Sequence, residues 1–178
     1  MTEVRRETKE TTIRVLMAPG AGTATVATGE RFLDHMLVAL ARYAGIDLTV
    51  EATGDLRHHL IEDVAITMGA ALHAMIPATA ARYGERTVPM DDALVQVVVD
   101  LGGRPYYRGP LPSSLYDHWM RSFADHAKVT LHVRVLRGTD RHHIVEAAFK
   151  GLGFALRDAL VETGAVFSTK GAVRLEES

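Results

Sequence analysis

Hydrophobic and polar positions along the chain repeat a single plan twice. Strand-like alternation marks Glu3 to Glu7, Thr11 to Met17 and Thr23 to Thr28. A helical segment, Phe32 to Tyr43, follows, and then a β-branched strand, Ile46 to Glu51. From His58 onward, Ile61, Ala65, Met68 and Leu72 recur at close to 3.6-residue spacing, which predicts a second helix. The same order returns further on. Glu85 to Pro89, Ala93 to Leu101 and Arg104 to Arg108 are strand-like, Ser114 to His126 is helical, and Val129 to Val135 alternates as a strand. Ile144, Ala148, Leu152 and Leu156 then carry the helical period. The prediction is β-β-β-α-β-α written twice, with residues 1–84 as the first half and 85–178 as the second. A fixed period of this kind signals a duplicated supersecondary unit. Strands grouped ahead of helices predict an α+β protein, with sheets covered by helices on one face.

The repeat extends to chemistry. His58-His59-Leu60-Ile61-Glu62 and His142-His143-Ile144-Val145-Glu146 both read H-H-apolar-apolar-E, separated by close to half the chain. Each is preceded by a histidine near the start of the upstream helix, His35 and His118, with nearly the same separation. Residues i and i+4 share a helix face, so His58 can converge with Glu62 and His142 with Glu146. Imidazole and carboxylate together suit Mn, Fe or Zn. Neighbouring positions on a helix diverge by about 100°, so both rings of a pair are not expected to serve one ion. Two metals follow, each drawing ligands from both halves or from neighbouring subunits. Six histidines and two glutamates give four protein ligands per ion, leaving an octahedral ion open positions for water or substrate. His73, His126 and His132 lack this support and are read as surface or structural residues.

Composition narrows the class. With 47% hydrophobic and 24% charged residues, the chain suits a compact globular unit. Its formal net charge of -2 provides no basic field for nucleic acid. The absence of cysteine excludes thiolate sites and fits a reducing, cytoplasmic setting. The first residues hold no apolar signal core, and no run reaches the ~20 apolar residues of a membrane span.

The motifs as a set resemble imidazoleglycerol-phosphate dehydratase. They are ETKETTI at the start, TGERFLDHML, GDLRHHLIEDVAI, MDDALVQVVVDLGGRPYY, DHWMRSFA, the long stretch from Thr130 to Leu160, and STKG from Ser168 to Gly171. The resemblance implies a fold of the ribosomal protein S5 domain 2-like kind. It implies two Mn2+ ions per subunit, held by His35, His58, His59, Glu62, His118, His142, His143 and Glu146. It also implies trimers that build an octahedral shell with metals at subunit interfaces. Arg82, Arg104, Ser168 and Lys170 match phosphate-binding positions, and Glu10 matches a proton-transferring carboxylate. The implied reaction converts D-erythro-imidazole-glycerol phosphate to imidazole-acetol phosphate and water, in histidine biosynthesis.

Two departures stand out. The usual pattern GDxxxDDHH is shortened here to Gly54-Asp55-Leu56-Arg57-His58-His59, without an acidic pair. Ala39 stands where the family commonly has glutamine. Both leave the metal ligands intact and touch the expected substrate lining, so a metal-assembled shell with lost or altered catalysis is the alternative reading.

Overall fold

The computed structural model describes residues 1–166; Ser168 and Lys170 lie outside the described residues. The first half contains β1 (Thr2–Glu7), β2 (Thr11–Pro19), β3 (Ala24–Ala27), α1 (Arg31–Ala44), β4 (Ile46–Gly54) and α2 (Arg57–Met75). The second contains β5 (Tyr83–Met90), β6 (Ala93–Asp100), β7 (Tyr106–Arg108), α3 (Ser114–Ala127), β8 (Thr130–Arg137) and α4 (Arg141–Ala159). The predicted element order is the observed one. Boundaries differ where backbone pairing decides them. β4 continues past Glu51 because its register with β2 runs on to Thr11 opposite Gly54. β7 is shorter than its sequence signal because Pro105 has no N–H to donate to a ladder.

The two sheets have the same topology, β1-β2-β4-β3 and β5-β6-β8-β7. In each, the third strand runs parallel to the fourth and the rest is antiparallel. Alternation then dictates one buried face per sheet: Ile13, Val15 and Met17 point inward from β2, and Val95, Val97 and Val99 from β6. Helices cover those faces, α2 on β1 and β2, and α4 on β5 and β6. The helices also pair across the halves, α1 with α4 and α2 with α3, so that one continuous core fills the molecule.

Two glycines at matching positions allow this cross-half packing. A Cβ on Gly69 of α2 would meet the Phe123 carbonyl oxygen at 2.6 Å and the Ala127 nitrogen at 2.9 Å, both in α3. A Cβ on Gly153 of α4 would meet the Leu40 carbonyl oxygen at 2.7 Å in α1. In each case the obstacle is backbone, which cannot swing aside.

Buried polar groups fix how the helices sit. Asp63, next to Glu62, is buried and turned to the sheet. It pairs with Arg6 at 3.0 Å and accepts a hydrogen bond from the Thr11 hydroxyl. This clamps α2 so that Glu62 faces the other way. Among the described residues, no helix is long and apolar enough to cross a membrane.

Candidate metal centre

Strand direction and helix length bring all eight predicted ligands to one end of the molecule. There the first turns of α2 and α4, the early turns of α1 and α3, and the β1–β2 and β5–β6 turns come together. Two clusters form, and each mixes the halves. His118 Nε2 lies 3.1 Å from Glu62 Oε1, and His58 Nε2 lies 3.5 Å from Glu62 Oε2. The His58 and His118 rings stack at 5.3 Å. On the other side, His142 Nε2 lies 3.1 Å from Glu146 Oε2, and His35 Nε2 lies 3.5 Å from Glu146 Oε1. The upstream histidine of one half therefore joins the H-x-x-x-E pair of the other half.

The second histidine of each pair points elsewhere, as the helical divergence predicts. The ring planes of His58 and His59 are inclined at 72°, with centroids 6.2 Å apart, and those of His142 and His143 at 90°, with centroids 5.8 Å apart. His59 Nδ1 lies 3.0 Å from Asp55 and 3.5 Å from Glu10. His143 Nδ1 lies 2.8 Å from Asp92 Oδ1, and its Nε2 lies 3.3 Å from Asp91. Both imidazoles have raised pKa values, chiefly through the hydrogen bonds to Asp55 and Asp92 respectively. Asp92 is held far below the usual carboxylate range, first by the Thr139 N–H and then by His143 and the Asp140 N–H.

The donor atoms of His58, Glu62 and His118 all lie within 4.8 Å of one another, as do those of Glu10, Asp55 and His59, a spacing that fits a divalent metal. His118 Nε2 is buried and has no hydrogen-bond partner, yet it faces the Glu62 carboxylate with His58 alongside. A lone pair in that position suits an ion better than it suits the protein. Glu146 is 5% exposed. Burial pushes its pKa up, but the Lys150 ammonium at 2.8 Å, with His35 and His142, outweighs that and holds it low.

Several residues that support the clusters lie within the motifs without having been assigned a role by them. Asp34 and Asp117 each precede an upstream histidine, and each ties its helix to the strand before it. Asp34 accepts from the Thr28 N–H and hydroxyl, and Asp117 from the Tyr107 hydroxyl and the Leu111 N–H. The repeated Asp-His dipeptide was the available clue. Asp140 caps α4 by accepting from the N–H groups of His142 and His143, whereas the α2 cap position is Leu56, with no side-chain bond. The shortened link before α2 thus lacks a cap as well as an acidic pair. Asp55, Asp92 and Lys150 were likewise visible only in three dimensions.

The expected phosphate contacts are not gathered here. Arg82 directly precedes β5, at the end of the sheet far from the β5–β6 turn, and its guanidinium holds Asp100 at 2.6 and 3.0 Å. Arg104 is exposed near the same far end, where Thr130 donates to its carbonyl. That end is roughly one length of α2 away, about 28 Å for its 19 residues at ~1.5 Å each. His73, His126 and His132 are all exposed and outside both clusters. Ala39 is buried and contributes no polar group.

A duplicated α+β fold with two His/Glu clusters, each built across the repeat, defines a protein of metal-dependent enzyme type. The family model for imidazoleglycerol-phosphate dehydratase matches residues 28–156. The protein of that name from Salinispora tropica is 44% identical over 197 aligned positions, covering 96% of this chain and 97% of the relative. That from Pyrococcus furiosus is 44% identical over 179 positions, covering 96% of this chain and 100% of the relative. A crystal structure of the Pyrococcus furiosus protein in complex with (S)-C348 superposes with a TM-score of 0.86, covering 96% of this chain and 100% of that one. One from Staphylococcus aureus, 33% identical, superposes with a TM-score of 0.83 over 91% of this chain and 99% of that one. The chain belongs to the imidazoleglycerol-phosphate dehydratase family and is a hydro-lyase. The Pyrococcus protein is matched whole within 179 positions, so a short chain is not peculiar to this sequence.

Proposed function

We propose that this protein is a dimanganese dehydratase that converts D-erythro-imidazole-glycerol phosphate to imidazole-acetol phosphate and water, in histidine biosynthesis. The observation that carries the reading is the orphaned, buried His118 Nε2 facing Glu62. His58, Glu62 and His118 would hold one Mn2+, and His35, His142 and Glu146 the other. His59 and His143 face away from these sets, so each would complete a site on a neighbouring copy in a homo-oligomer of trimers building a larger shell. When bound, Mn2+ supplies a Lewis acid that orients the substrate's imidazole and favours its deprotonated form.

The remaining work falls to side chains. Removing water breaks one C–H and one C–O bond, and the resulting enol becomes the ketone. Glu10 stands 3.5 Å from His59, with its carboxylate exposed at the mouth of that cluster. It would accept the proton from carbon, with no metal ligand needing to leave its place. Phosphate would be held by Arg82, Arg104, Ser168 and Lys170. Because the two arginines lie at the far end of the chain from its own clusters, they would serve the site of another copy. Arg104 is the more available of the two, since Arg82 is already paired with Asp100.

Turnover by metal-stripped and Mn-loaded protein tests this reading. Activity restored by Mn2+, with about two ions per chain, supports it. Two ions bound without turnover would favour the shell that has lost or altered its catalysis, for which the missing acidic pair and Ala39 speak.

A further inference from the structure

Glu10 and Asp92 occupy the same place in the two halves. In the first sheet Val15 lies opposite Val4 and Val50, and in the second Val97 lies opposite Arg86 and Val133. Superposing those registers, with Val15 on Val97, lays Glu10 on Asp92. Both sit at the hairpin turn, and both approach Nδ1 of the second histidine of a pair, His59 or His143.

Their partners differ. Glu10 reaches His59 only at 3.5 Å, because Asp55, in the short link before α2, already accepts from His59 Nδ1 at 3.0 Å. The link before α4 contains no carboxylate free for that task, since Asp140 is engaged in capping His142 and His143. Asp92 fills the gap. Its Oδ1 takes His143 Nδ1 at 2.8 Å, and its Oδ2 accepts from the Thr139 N–H at 2.7 Å, the Thr139 hydroxyl at 3.0 Å and the Asp140 N–H at 3.2 Å. The ring meets hydrogen-bond geometry at Nδ1 with Asp92, while Nε2 lies 3.3 Å from the exposed Asp91 carboxylate, an ion-pair contact that does not meet that geometry.

We propose that Asp92 is a positioning residue: it holds His143 with Nδ1 protonated and Nε2 presented to a metal ion, while its counterpart Glu10 is relieved of that task by Asp55. A carboxylate behind a ligating imidazole fixes both tautomer and ring direction. The duplication has thus divided one turn position into a fixed acceptor and an available carboxylate. The inference rests on the reading of His143 as a metal ligand.

The test is Mn2+ titration of the metal-stripped full chain. Asp92→Ala is expected to weaken Mn2+ binding about 10- to 100-fold at one class of site. Asp92→Asn keeps one acceptor for His143 Nδ1 but turns its amide NH2 towards the Thr139 and Asp140 N–H groups, so it should recover only part of that loss. The double variant Asp92→Ala/His143→Ala should bind no more weakly than His143→Ala alone, because Asp92 acts through that ring. Thr139→Ala removes only the hydroxyl contact and should leave affinity within about twofold. Wild-type affinity in Asp92→Ala, or losses that multiply in the double variant, would overturn the proposal. Should Asp92→Ala not fold, a few-fold loss in Asp92→Asn supports the proposal and unchanged affinity overturns it. Wild-type affinity in His143→Ala would instead overturn the ligand reading, and this inference with it.

Discussion

Glu62 and His118 face each other across the seam between the two halves, with Oε1 and Nε2 3.1 Å apart. His35 and Glu146 repeat the relationship at 3.5 Å. An ion held at either place would tie α2 to α3 or α4 to α1, the same helix pairs that Gly69 and Gly153 bring into close contact. Binding that exists only in the folded state stabilises it by linkage. Mn2+ at about 100 times its dissociation constant should add ~2.7 kcal/mol per site and raise the melting temperature of the stripped protein. An unchanged melting curve would count against metal at the seam.

The fold was legible because its signals are local and doubled: alternation for strands, the 3.6 period for helices, and paired motifs set close to half the chain apart. The candidate ligand types were legible for the same reason. Which of them lie together was not, because that depends on how α1 packs on α4 and α2 on α3, and nothing in the pattern marks Gly69 and Gly153 as the points of close approach. Asp55 and Asp92 were also hidden. They perform similar service for His59 and His143 from different elements, so the repeat does not pair them. The separation of Arg82 and Arg104 from the clusters follows from strand length, which motif matching ignores.

Replacing Gly69 with valine should force α2 and α3 apart against backbone atoms at 2.6 and 2.9 Å. Overpacking of this kind costs about 1–3 kcal/mol. Chemical denaturation of the metal-free chain measures it, and an equal or higher midpoint would show that the close approach is dispensable.

Leu56 is exposed, has extended backbone angles, and occupies the cap position that Asp140 fills in the second half. Leu56→Asp should cap α2 and stabilise the fold by ~1 kcal/mol. For a chain of this size that corresponds to a rise of about 2–4 °C in melting temperature. No rise would mean that the shortened link cannot bring a side chain to the free N–H groups.

Asp100 shows how charge couples to pH away from the clusters. Burial pushes its carboxyl up, but the hydrogen bonds from Arg82 and Gly102 outweigh that and hold it below its ordinary value. A depressed folded-state pKa contributes stability above the unfolded value of ~3.9, and that contribution is lost as pH falls through the folded value. Asp100→Asn should therefore destabilise the protein at neutral pH and converge with wild type in strong acid. A gap that stays constant from pH 7 down to acid would contradict the assignment.

Glu10→Gln should lower kcat by about 10²- to 10⁴-fold while Mn2+ content stays at the wild-type level, as expected for a proton-transferring group that is not a ligand. Arg104→Ala should instead raise KM, again with metal retained. Loss of metal in either variant would move that residue from substrate handling to the metal sites.

Metal content per chain in Glu62→Gln, in Glu146→Gln and in the double variant is the most direct test of the two cross-half ligand sets. Each single variant should drop from about two Mn2+ ions per chain to about one, and the double variant should bind none tightly. Full loading in the single variants, or loss of both ions from either one, would contradict two separate sites built around Glu62 and Glu146.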